Sequence, residues 1–216
     1  MERVLEPEVM DSAEEAAAYD AMDHAEVNRA FVDRLIALGA GGRMLDLGTG
    51  PGHIPIMVVE RLTGATVLAV DLAAHMLALA ARRVAASPHG ARVELLRGDA
   101  KALDLPDASF DAVFSNTILH HLADPLPLLR EARRVLRPGG VLFIRDLFRP
   151  DSEARVEELV ALHASAADPA GRELFRASLR AALTPDELRR LADDAGLADA
   201  RLVIDSDRHM SLELAA

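Results

Sequence analysis

Cysteine is absent from all 216 residues, and with it go disulfides, thiolate metal sites and cysteine nucleophiles. Tryptophan is absent too, and the aromatic set is six Phe and one Tyr. A site that sandwiches a flat ring between aromatic side chains is therefore hard to build. No stretch approaches the ~20 apolar residues of a membrane span. The opening "MERVLEPEVM" is acidic and lacks the apolar core of a secretory signal. Positive charge is scarce: 24 Lys plus Arg stand against 35 Asp plus Glu, a formal net charge of −11. Such a surface repels phosphate backbones and anionic headgroups. A cytoplasmic chain with a small-molecule partner is expected, with no nucleic acid and no membrane, while the oligomeric state stays open.

What is present reads as one domain over 1–216, because no linker, repeat or low-complexity tract interrupts it. Residues 12–38 carry strong helix formers, with Phe31, Leu35 and Leu38 at helical spacing. From there the pattern alternates. "RMLDL", "TVLAV", "RVELLRG", "DAVFSN" and "VLFIRD" read as strands, and "HIPIMVVERLTG", "AAHMLALAARRVAAS" and "PLPLLREARRVL" as helices. Asp71 stands where it would cap the second of these helices, and "RPGG" closes the third. Residues 151–183 read as helical. Thr184, Pro185 and Glu187 then predict a capped helix that ends at Gly196. "ARLVID" and "RHMSLEL" form a final hairpin. The sum is an α/β fold: a doubly wound, mostly parallel seven-stranded sheet with an antiparallel C-terminal hairpin and N-terminal helices. Three parts follow: N-terminal helices over 1–40, an alternating core over 41–150, and a helical segment with the hairpin over 151–216.

"MLDLGTGPGH", residues 44–53, ends the first strand of this alternation with an acid and three glycines. Open parallel sheets bind ligands beyond the carboxyl ends of strands, and glycine lets a backbone approach a ligand at positive φ. A dinucleotide fingerprint is spaced G-x-G-x-x-G. Here Gly48, Gly50 and Gly52 are spaced G-x-G-x-G, and Asp46 precedes them. A carboxylate there crowds a pyrophosphate but suits a cationic ligand.

"LDLGTGPG" resembles the cofactor loop of the class I, Rossmann-like, S-adenosylmethionine-dependent methyltransferases. "VLAVDLAAHML", "LRGDAKALDLPDASFD", "DAVFSNTILHHLADP" and "EARRVLRPGGVLFIRD" resemble that family's later strands and loops, in order, over about residues 40 to 150. The resemblance implies S-adenosyl-L-methionine as cofactor and S-adenosyl-L-homocysteine as product. It also implies a cofactor set of Asp46, Gly48, Gly50, Gly52, Asp71, Leu72, Asp99, Ala100 and Asn116, with Asp71 on the ribose hydroxyls, Asp99 on the adenine amine and Asn116 near the methyl donor.

Methyl transfer from a sulfonium is an in-line displacement in which alignment supplies much of the rate, so a general base is optional. The acceptor is expected over the ends of the fourth and fifth strands and the last hairpin. His121 is the candidate base or acceptor hydrogen-bond partner, with a backbone bond near Asp124 as its structural alternative. His120 is expected in packing or solvent. Asp146 is the second catalytic candidate; the alternative is an ion pair with Arg145 or Arg149. Tyr19, Arg145 and His209 are candidate substrate contacts. Tyr19, His24 and Asn28 fall on the N-terminal cover, where plain helix packing is the alternative, and Arg208 and His209 fall in a hairpin turn, where solvated structure is the alternative.

Several chemistries are disfavoured. "NTIL" replaces the Asn-Pro-Pro-aromatic motif of relatives that methylate exocyclic amines, and no cysteine is present to attack a pyrimidine ring. No spacing compels a metal site, although His120, His121 and Asp124, or His163 and Asp168, are the available ligands. Scarce aromatics argue against a large planar acceptor, and arginines near the site suggest a small polar or anionic one. Three alternatives stay open: a cofactor-binding protein without turnover, a nicotinamide oxidoreductase, and an RNA or DNA methyltransferase.

Overall fold

Four apolar runs are closed off from solvent on both faces because each pairs on both edges and is covered by helices above and below. In the computed structural model, which describes residues 1–6, 12–20 and 25–216, these strands are β1 (Arg43–Leu47), β2 (Thr66–Asp71), β4 (Phe110–Asn116) and β5 (Leu136–Leu147). β3 (Val93–Arg97) forms one edge and β6 (Arg201–Ile204) the other, with β7 (His209–Leu214) beside it. The sheet order is β3-β2-β1-β4-β5-β7-β6. All neighbours are parallel except β5–β7 and β6–β7. The final hairpin thus puts its second strand inward, antiparallel to both neighbours, so the one antiparallel strand expected is β7.

The N-terminal segment divides into α1 (Ala13–Asp20) and α2 (Ala25–Ala37); His24 lies outside the described residues. α2 and α3 (His53–Arg61) cover one face. There Phe31, Val32 and Leu35 meet Ile56, Val58, Val59, Phe114 and Phe143, and the Phe31 and Phe143 rings stack at 4.5 Å. α5 (Leu126–Val135) and α8 (Pro185–Asp194) cover the other face with Leu128, Leu129, Ala132, Val135, Leu188 and Ala192. α4 (Ala74–Ala86) joins β2 to β3. α6 (Glu153–His163) and α7 (Pro169–Ala181) build a smaller core around Leu147.

Two local expectations change. Asp71 does not cap α4, which starts after Ala73 without a side-chain cap; its carboxylate serves two loops instead, as described below. The "RPGG" turn belongs to the start of β5 rather than to a separate loop, and the β4–β5 register shifts there between Phe110 and Ala112. The Thr184–Glu187 capping box forms as read, and Gly196 follows α8 at a φ of +75°.

Candidate active site

The chain runs β1, β2, β3 in one direction and then crosses back to place β4 on the other side of β1. A cleft opens at this reversal, beyond the carboxyl ends of β1 and β4. It holds about 1120 Å³ of empty space, its open mouth included. Strand alternation chooses which side chains reach it. Asp46 and Asn116 lie on the same sheet face as Met44 and Phe114 and both line the cleft, as does the buried Asn28 of α2.

The three glycines have three separate reasons. All have positive φ: +75° at Gly48, +54° at Gly50 and +80° at Gly52. A Cβ on Gly48 would meet Ile118 at 2.5 Å, and one on Gly52 would meet Ala80 of α4 at 2.9 Å. A Cβ on Gly50 would meet nothing within 4 Å. Gly48 and Gly52 thus allow close packing, whereas Gly50 borders open space. Its N–H donates to Asp71 Oδ2 at 2.7 Å, and the Ala73 N–H donates to Asp71 Oδ1 at 2.9 Å. One carboxylate ties the glycine loop to the start of α4. The Gly48 and Thr49 N–H groups both reach the Val70 carbonyl at 2.9 Å.

Among the described residues, the cleft brings together Tyr19, Asp46, Gly48, Gly50, Asp71, Leu72, Asp99, Ala100, Asn116 and His121. Leu72 is exposed although apolar, which gives the cleft an open hydrophobic wall. Asp99 Oδ1 accepts from the Lys101 N–H at 2.9 Å, and its Oδ2 pairs with Lys101 Nζ at 3.6 Å. Asp46 is 2 % exposed. Burial pushes its carboxyl up to about 7, against a lowering contact from Thr49 and with a further push from Asp71. Burial likewise raises Asp71, opposed by its backbone donors, and raises Tyr19, opposed by a hydrogen bond with Thr117.

Asp146, Arg145 and His209 do not line the cleft. Consecutive residues of β5 point to opposite faces, so Arg145 and Asp146 can neither pair nor share a pocket. Arg145 is buried with its guanidinium 6.0 Å from the Phe31 ring centroid. The arginines therefore offer no evidence for an anionic acceptor: Arg149 is buried as well, bound to the Ala182 carbonyl at 2.9 Å and Glu187 at 2.7 Å. His209 is buried, its Nδ1 3.0 Å from Ser206 Oγ. Burial first, then Arg145 and Arg208, hold its imidazole down at about 3.

Asp146 is 1 % exposed and anchors the turn before α5. Its Oδ2 accepts from the Leu119 N–H at 2.5 Å and the His120 N–H at 3.2 Å, and its Oδ1 meets His120 Nδ1 at 2.6 Å. Burial opposes charge on this pair. Their mutual attraction prevails, lowering Asp146 and raising His120. His120 is thus an ion-pair member in the interior rather than a packing or solvent residue. His121, beside it, lines the cleft with Nδ1 2.9 Å from Glu6 Oε1. Asp124 Oδ1 accepts from the Leu126 N–H at 3.1 Å.

Sequence reasoning passed over Thr117 and Glu6. Thr117 lines the cleft at a φ of +60°, a conformation β-branched residues rarely adopt. Nothing in "SNTIL" announces it. Glu6 arrives by a long-range fold-back of the N-terminal strand of chain, pinned by Arg3, whose guanidinium donates to the Ala181 carbonyl at 2.6 Å and the Leu122 carbonyl at 2.8 Å.

The residues suit a cofactor bearing positive charge and hydrogen-bond donors. Asp46 Oδ2 and Asn116 Oδ1 are buried acceptors in the cleft lining without a hydrogen-bond partner, and Gly50 leaves the space beside them clear.

Residues 45–144 match the family model described as "Methyltransferase domain". The chain is 30% identical over 199 residues to a demethylmenaquinone methyltransferase of Roseiflexus castenholzii, covering 85% of this chain and 82% of that one. It is 42% identical over 112 residues to a demethylmenaquinone methyltransferase of Thermus thermophilus, covering 52% of this chain and 50% of that one. For most of the curated relatives it matches, the chain spans about half their length. A solved S-adenosylmethionine-dependent methyltransferase from Aquifex aeolicus superposes at a TM-score of 0.69 with 20% identity, over 94% of this chain and 97% of that one.

Proposed function

Because this chain belongs to the class I S-adenosylmethionine-dependent methyltransferases, we propose that it transfers the methyl group of S-adenosyl-L-methionine to a small-molecule acceptor in the cleft between β1 and β4. The carrying observation is the set of buried, unpartnered acceptors around an open glycine loop at the sheet's reversal point. When bound, the cofactor supplies an electrophilic methyl group on a sulfonium, so the protein's share is alignment and exclusion of water.

In this reading Asp46 and Asn116 receive the donors at the amino-acid end. Asp71 takes the ribose hydroxyls and Asp99 the adenine amine, with Leu72 and Ala100 against the base. His121 sits at the acceptor side as base or hydrogen-bond partner. Asp146 acts at one remove as a positioning residue, because it fixes the turn that carries His121. α1 is the lid: Ala16 and Tyr19 pack with Ala73 and Met76 at the start of α4. A small acceptor, no nucleic-acid partner and a cytoplasmic location complete the proposal; the acidic charge and scarce aromatics support it. Among the described residues, no helix is long and apolar enough to cross a membrane.

Calorimetric titration with S-adenosyl-L-homocysteine tests it. Wild type is expected to bind, D71A at least tenfold more weakly, and an acceptor screen by mass spectrometry to yield a methylated product. Absence of binding, or NADH binding in its place, overturns the reading. Cofactor binding with no product across the acceptor panel favours a binding protein without turnover.

A further inference from the structure

The geometry points to a second site: Glu6, His120 and His121 form a binding site for a divalent transition-metal cation of the zinc type, beside the acceptor end of the cleft. No spacing in the sequence suggested it, because the third ligand comes from the folded-back N-terminus rather than from Asp124.

Glu6 Oε1 lies 2.9 Å from His121 Nδ1 and 3.5 Å from His120 Nε2, and the three donor atoms lie within 4.8 Å of one another. Ligands about 2.0–2.2 Å from one tetrahedral ion stand roughly 3.3–3.6 Å apart, so these separations need little adjustment. The three groups also do not satisfy each other. His121 Nδ1 is buried and makes no well-formed hydrogen bond despite the nearby carboxylate. Such misalignment is expected where donors surround a common point instead of facing one another.

The surroundings are those of a supported site. His120 engages Asp146 through Nδ1 at 2.6 Å, which leaves Nε2 for the cation in a carboxylate–histidine–metal arrangement. Asp146 is itself held by the N–H groups of Leu119, His120 and Leu147. Ser178 Oγ donates to Glu6 at 3.4 Å. The guanidinium of Arg3 is occupied by the carbonyl oxygens of Leu119, His120 and Leu122. Two imidazoles, one carboxylate and no thiolate suit Zn²⁺, Fe²⁺, Co²⁺ or Mn²⁺ better than Mg²⁺ or Ca²⁺. Three protein ligands leave a position for an outside oxygen, and His121 also lines the cleft. A cation here would orient and polarise an oxygen-bearing acceptor. That last role rests on the proposed methyl transfer; the metal binding does not.

The test uses the full-length, untagged chain, stripped with EDTA and dialysed. ZnCl₂ is titrated by calorimetry and CoCl₂ by visible absorption, for wild type, E6Q, H121Q and H163Q. Thermal melts check that each variant folds. One equivalent is expected to bind wild type and H163Q alike, with E6Q and H121Q weakened at least about tenfold. H163Q is the control because His163 pairs with Asp207 on an exposed face, 2.7 Å away. No saturable binding, binding unchanged in folded E6Q and H121Q, or binding lost in H163Q overturns the site. S-adenosyl-L-homocysteine titrated into the same samples separates the two ideas. Cofactor binding without metal overturns only this inference, and metal binding without cofactor overturns only the proposed function.

Discussion

Asp46 keeps a carboxyl group out of water at the end of β1, with burial raising it to about 7. A ligand that brings positive charge to this position binds the ionised form, so affinity depends on how much of that form exists. S-adenosyl-L-homocysteine binding is expected to weaken towards tenfold per pH unit below about 7, and D46N to bind more weakly with a flat profile, as read by calorimetry across that range. The stability sign is opposite. A folded-state value above the ordinary 3.8 means that the folded chain binds more protons, so this residue lowers stability as pH rises from about 4 to about 7. D46N should therefore melt higher than wild type, and by more near pH 8 than near pH 5.5. His209 is the converse case, depressed from 6.5 to about 3. Its contribution is present above about 6.5 and is lost as pH falls, by up to about 1.4 kcal/mol per pH unit. Urea unfolding over that range should show H209Q with a shallower acid slope than wild type.

Between elements, one aspartate ties α1 to α3 and α4. Asp20, at the end of α1, accepts from Arg83 Nη2 of α4 at 2.8 Å and meets His53 Nε2 of α3 at 2.8 Å. Arg83 also donates to the Pro51 carbonyl, so the latch reaches the glycine loop. Burial opposes the charge on Asp20, but the two partners hold its carboxyl below the usual range. These contacts are partly exposed and contribute little to global stability, under about 1 kcal/mol. D20A is expected to leave the melting temperature nearly unchanged while S-adenosyl-L-homocysteine dissociates roughly three- to tenfold faster in stopped-flow measurements. A normal dissociation rate in D20A would remove the lid from the account. Stability of the sheet face beneath α2 and α3 depends instead on packing such as the Phe31–Phe143 stack, which includes no latch residue.

At the scale of the molecule, the net charge of −11 governs what can approach. Several arginines are not available as a basic surface, since Arg34, Arg134, Arg149, Arg176 and Arg180 are each bonded to a carboxylate. Fluorescence anisotropy with single-stranded RNA and duplex DNA is expected to show no saturable, salt-dependent binding in low salt. Such binding would reopen the nucleic-acid alternative. The same burial and pairing of arginines removes the reason for favouring an anionic acceptor, and leaves the scarcity of aromatics as the remaining guide.

The strand and helix order, the capping box at Thr184 and the glycine turn were legible in the sequence because they depend on neighbours: alternation of apolar residues, cap side chains three positions apart, and glycines where φ must be positive. Asp46, Asp71 and Asp99, named on the family resemblance, line the cleft because each stands at or just beyond the carboxyl end of a strand. Which face a residue of β5 presents was not so readable. The sequence placed Arg145 and Asp146 together, and only the pairing of β5 with β4 and β7 put them on opposite sides. The joining of Glu6 to His120 and His121, and of Asp20 to Arg83, is a matter of tertiary structure alone. Contacts between distant parts of a chain leave no local pattern, because closing a long loop depends on the packed surfaces at its ends and hardly on the residues between them.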